Sequence, residues 1–240
     1  MSNSTTSGSQ RSHGELITGC SIAACAIVVI AMISHHPVVS SHDAGGLAAS
    51  LARSAVADRW VHGIIAATLT ILTTGMLAFA GRLGFKKPHV ALGSVASMLS
   101  LMFICLAVML DGFVAPALAE RCGIPSATCG LPLVSLLQFG AAQIEFLTRF
   151  GLFSFATAAA CFAVDLLVRQ GGSRVVGSVG VLVALIQFAL LFGSDARLTP
   201  HSLGIMVVLQ AGWYLSVASL MVLRRGPYAG PAALVAASHP

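Results

Sequence analysis

Long apolar runs, each closed by a single charged or histidine residue, set the pattern of this chain. Six stretches free of charge and histidine follow one another at 16–34, 63–81, 90–110, 150–164, 175–194 and 202–223. A helix needs about 20 mostly apolar residues to cross a hydrocarbon core about 30 Å thick, and five of the six meet that length. The fourth reaches it, as 146–168, when Arg149 and Asp165 extend their side chains toward the two interfaces. The pattern predicts an all-α integral membrane protein, a bundle of six transmembrane helices.

Two further segments are patterned for the membrane surface. The stretch 131–168 would run about 57 Å as one helix, longer than an ordinary span. It is expected to divide into an interfacial lead-in carrying Gln138, Gln143 and Glu145 and a span over 146–168. Before the second span, Leu47, Ala48, Leu51, Ala52, Ala55, Val56 and Trp60 fall on one helical face, with Ser50, Arg53, Ser54 and Asp58 opposite. That spacing predicts a short amphipathic interfacial helix anchored by Trp60. Residues 1–14, rich in Ser, Thr and Gly, read as a disordered cytoplasmic tail. The transmembrane domain then covers 15–225, and 226–240 form a second cytoplasmic tail. Gly19 with Ala23, Gly63 with Ala67, Gly93 with Ser97, and Gly177 with Gly180 are spaced to let helices approach closely.

Composition agrees and narrows the field. Of 240 residues 57% are hydrophobic and 9% charged, where a soluble domain carries about 25% charged residues. A soluble enzyme and a nucleic-acid-binding domain are excluded. The net charge of +5 reports orientation instead. With the N-terminus in the cytoplasm, the inner side holds Arg11, Arg82, Lys86, Lys87, Arg169, Arg174, Arg224 and Arg225. The outer side holds Arg53, Arg59, Arg121, Arg149 and Arg197. The excess predicts an N-in, C-in topology in a bacterial-type inner membrane, with the bilayer as the principal partner and a homo-oligomer or membrane-protein partner allowed.

The candidate chemistry gathers on the outer side. His35, His36, His42, His62 and His201 fall there, together with Asp43, Asp111, Glu145 and Asp195. Imidazole and carboxylate are ligands for divalent transition metals, and ionisable groups where spans end are candidates for function. The expected site is an outward-facing rim of His35, His36, His62, Asp111, Glu145 and His201 that binds a metal ion, haem or a small polar ligand. Asp111 draws most interest, since it ends a 21-residue uncharged run and opens Asp111-Gly112-Phe113-Val114-Ala115-Pro116. His62 and His201 both open outer-to-inner spans, the matched depth that bis-histidine haem ligation requires. A second reading is that these groups only cap helix ends. Under it, Glu145 satisfies Arg149 and Asp165 satisfies Arg169 at four-residue spacing. Cys122 and Cys129 share an outer loop and are expected to form a structural disulfide. No Gly-x-Ser-x-Gly, His-Glu-x-x-His or phosphate-loop motif marks a nucleophile or phosphate site. A small permease and an accessory or scaffold subunit are the alternatives from other classes.

Overall fold

The computed structural model describes residues 6–35, 44–122, 133–193, 198 and 200–223. Among these the chain is all helix: α1 (Thr6–Ser34), α2 (Ala44–Leu83), α3 (Pro88–Met109), a π-helical turn (Leu110–Val114), α4 (Ala115–Cys122), α5 (Leu133–Leu167), α6 (Gly172–Phe192) and α7 (Pro200–Val222). Six helical stretches are long and apolar enough to cross a membrane, and each overlaps one predicted span.

The helices close into a ring. α1 packs on α2, α2 on α3, α3 on α5, α5 on α6, α6 on α7, and α7 returns to α1. Small residues set the close approaches, as expected where lipid supplies no hydrophobic drive between helices. Gly180 of α6 lies under the indole of Trp213, and Gly93 of α3 lies against Phe162 of α5. Large apolar side chains such as Ile17, Ile27, Leu92, Val95, Leu182 and Leu185 face outward, which suits a lipid bilayer around the ring.

Two predicted divisions are absent. The segment 47–60 and the second span form one 40-residue helix, α2, about 60 Å long. No proline interrupts it, so the helical ladder simply continues. Its buried face also differs from the predicted one: Ala55, Asp58 and His62 point inward, while Val56 and Trp60 are exposed. The polar face turns inward because α4 packs beside it, where Arg59 pairs with Glu120 at 2.9 Å. Likewise the polar lead-in and the fourth span are one 35-residue helix, α5.

Charged contacts collect at the two ends of the ring. At one end Arg82 pairs with Glu15, and Asp165, only 2% exposed, receives Lys87 and Arg169. At the other end lie Arg59–Glu120, His62–Asp111 and Arg149–Glu145. The four-residue pairs Glu145–Arg149 and Asp165–Arg169 form as their spacing implies.

Candidate functional site

The site is built where α3 changes pitch. At Leu110–Val114 the helix widens into a π turn, in which the Ala115 N–H bonds the Leu110 carbonyl five residues back. Gly112 lies within this turn and Pro116 follows it, but they do not end the helix at Asp111; they accompany one extra residue within it. Pro116 has no N–H to give to the carbonyl four residues earlier, so a shifted ladder suits it. Single π turns recur at functional sites. Here the turn brings Asp111 toward α2 and buries Gly112 against His62.

His62 is 3% exposed and uses both ring nitrogens. Nδ1 lies 2.8 Å from the carbonyl oxygen of Asp58, one turn earlier in α2. Nε2 lies 3.1 Å from Asp111 Oδ2. A carbonyl only accepts, so Nδ1 carries the hydrogen and donates it. Nε2 and a carboxylate oxygen are then both acceptors until a proton lies between them. The 3.1 Å His62–Asp111 contact is thus a hydrogen bond only when a proton lies between the two atoms, as imidazolium with carboxylate or as imidazole with carboxylic acid. Asp58 is itself buried, and its Oδ2 accepts a 2.9 Å bond from Ser54.

Beneath this pair the centre of the ring is hollow. A cavity of about 180 Å³ reaches along α2 from His62 past Ile65, Leu69 and Thr73 to Met76. Those fourteen residues of rise correspond to about 21 Å. α3 supplies Ser97, Ser100 and Ile104, and α5 supplies Thr148, Leu152 and Phe155. From α7 come Leu203, Val207, Gln210, Trp213 and Tyr214. Most of the wall is aliphatic or aromatic, and His62 and Asp111 are its base and acid. Met76, Phe162 and Trp213 line the deep end, where Phe79 meets Phe162 edge to face with ring centroids 6.1 Å apart.

Of the six predicted rim residues, the structure joins His62 and Asp111. His35 is exposed, and its Nδ1 bonds the Ala31 carbonyl of its own helix at 2.8 Å. Glu145 accepts from Arg149 and from the backbone N–H of Leu198 at 3.4 Å. His201 is exposed at the start of α7. His36, Cys129 and the side chain of Cys122 lie outside the described residues. Among the described residues no three His, Cys, Asp or Glu side chains gather as a metal ion requires. Of the predicted rim, the described residues thus show one contact, His62 with Asp111, set above a mostly apolar hollow. For the haem expectation, His62 Nε2 is engaged by Asp111 while His201 faces outward.

The sequence reading missed Asp58 as an orienting group, Gly112 as the residue that admits the imidazole, and Gln210 and Tyr214 as cavity-lining polar groups. Only the last two carried a signal, their four-residue spacing on α7, which places them on one helical face. No known protein family, curated protein or solved structure matches this chain.

Proposed function

We propose that this is a multi-pass membrane protein that binds a small amphiphile, with the polar head held at His62 and Asp111 and the hydrocarbon part in the central cavity. The observation that carries this reading is the join of the buried His62 and its partner Asp111 to a mostly apolar hollow within the ring. Ligand sites are typically concave and apolar, with a few placed polar groups that fix orientation. An apolar cavity of about 150 Å³ accommodates a molecule the size of benzene, so this one suits a single ring or a short chain. The aromatic deep end favours binding over passage from face to face, and so over a permease. The basic excess around Lys86 and Lys87 supports a cytoplasmic position for the Asp165 end in a bacterial-type inner membrane. The Asp111 end then faces outward, with Cys122 and Cys129 in the compartment that permits a disulfide.

The test uses Trp213, which lines the cavity. With Trp60→Phe, Trp213 is the sole tryptophan of the chain. Protein in lipid nanodiscs is titrated with bromooctanol, whose heavy atom quenches indole fluorescence. Saturable quenching that weakens roughly tenfold or more in Asp111→Leu supports the reading. Linear quenching, unchanged in Asp111→Leu, is partition into lipid and overturns it.

A further inference from the structure

We infer that the cavity contains a second polar subsite, formed by Gln210 and Tyr214 of α7, that selects amphiphiles bearing a hydrogen-bonding group partway down the chain. This rests on the amphiphile-binding reading and adds the ligand class to it.

Both side chains line the cavity. Tyr214 is 9% exposed, and its ring packs edge to face on Phe155 at 5.4 Å, which fixes its plane. Neither its hydroxyl nor the Gln210 carboxamide has a hydrogen-bond partner among the described residues. Their neighbours at this depth do not compensate. Val207, Leu152, Phe155 and Ala159 are apolar, and Ser97 donates to the Gly93 carbonyl of its own helix. A buried hydroxyl or amide left without a partner is unfavourable relative to water. Tyr214 is such a buried group and Gln210 is half-buried beside it; both facing one hollow are explained by something in that hollow that bonds them.

Their depth defines the ligand. α7 runs from the Asp111 end inward, and Leu203 lines the cavity nearest its start. Gln210 lies seven residues deeper and Tyr214 eleven, about 10 and 16 Å by helical rise. Helical side chains lean toward the N-terminus, so the Tyr214 hydroxyl is carried back toward the level of Gln210. The ligand therefore has a polar head at His62–Asp111 and a hydroxyl, carbonyl or similar group deeper in the cavity, about 10 Å below the level of Leu203, joined by an apolar linker. An α,ω-diol of a medium-length alkane is the simplest molecule of this class.

The sign of one comparison decides the matter. In a purely apolar hollow a second hydroxyl weakens binding, because it loses water and gains nothing. At a site with Gln210 and Tyr214 it strengthens binding. Octanol and octane-α,ω-diol are used to displace bromooctanol from the Trp60→Phe protein in nanodiscs, with affinities expressed against the lipid-partitioned concentration. The expected result is that the diol binds roughly three- to tenfold more tightly than octanol, the value of one hydrogen bond. Gln210→Leu with Tyr214→Phe, both close in shape to the originals, then removes the preference while octanol binding persists. Equal or weaker binding of the diol, or a preference that survives the double variant, overturns the subsite and leaves the amphiphile reading standing. Absence of saturable quenching by bromooctanol overturns both.

Discussion

A methyl group on Gly112 would lie 2.3 Å from Cβ and 2.4 Å from Cγ of His62. The residue that follows Asp111 is therefore sized by the imidazole it faces. This approach lets α2 and the π turn come near enough for Nε2 to reach Asp111 Oδ2 at 3.1 Å. Side chain and backbone are fitted together at the one place where a buried base meets an acid beside the cavity.

Gly112→Ala is accordingly expected to push α2 and the π turn apart. Overpacking of this kind costs about 1–3 kcal/mol. The predicted readout is a lowered thermal midpoint in detergent, accompanied by weakened saturable quenching of Trp213 by bromooctanol. An unchanged midpoint together with unchanged quenching would refute the close fit.

His62 and Asp111 act as one unit if a proton joins them. Asp111→Leu leaves the buried His62 Nε2 unsatisfied and is expected to lower stability by about 1–3 kcal/mol, while His62→Leu leaves a half-exposed carboxylate and is expected to cost less. The double variant removes both groups and should lose less than the sum. A coupling of at least roughly 0.5 kcal/mol in the double-mutant cycle is the expected value; strict additivity would separate the two residues.

At the opposite end, Asp165 is buried beneath its basic partners. Arg169 gives two bonds to Oδ2, at 2.9 and 2.7 Å, and Lys87 holds Oδ1. Arg169→Ala leaves Lys87 in place and is expected to destabilise by about 1–3 kcal/mol, the range for stripping donors from a buried acceptor. Asp165→Asn in the same background should recover part of the loss, since the buried charge is gone. Thermal melts of the three proteins compare these values, and a neutral Arg169→Ala would count against the pair as a structural element.

Gly180 is the contact through which α6 supports the cavity's deep end. A Cβ there would meet Trp213 at 2.5 Å and Ala163 at 3.0 Å. Gly180→Val is expected to tilt the indole, shifting the Trp213 emission maximum in the Trp60→Phe background and lowering the thermal midpoint. An unaltered spectrum would show that α6 yields instead of Trp213.

Orientation is open to direct labelling. Arg53 and Lys86 are exposed near opposite ends of α2. In a cysteine-free background, Arg53→Cys should react with a membrane-impermeant maleimide on intact cells, and Lys86→Cys only after permeabilisation. The reverse pattern would invert the proposed topology.

The number and place of the spanning segments were legible because bilayer thickness imposes a length that any sequence can be measured against. Local ion pairs were legible for a similar reason: Glu145 with Arg149 and Asp165 with Arg169 depend only on helical spacing. The divisions expected at 47–60 and 131–145 are absent because the length of a membrane span does not limit the length of a helix. A polar residue does not break the backbone ladder, and here Asp58 and Glu145 are satisfied by Ser54 and Arg149 within their own helices.

The candidate site was only partly legible. Sorting His and acid residues to one end left six candidates with Asp111 foremost, since a helix's sequence gives a residue's depth and face but not which neighbour that face meets. Tertiary structure made the choice. The closed ring set α2 beside the π turn, brought His62 to Asp111, and turned His35 and His201 outward. It also enclosed the hollow that places Gln210 and Tyr214 beneath that pair. The sequence alone determined that this chain carries six segments long and apolar enough to cross a membrane and where each lies, because those properties depend on local composition and length. The contact between an acid and a base 49 residues apart depends on how six helices close around one centre, and that is a property of packing alone.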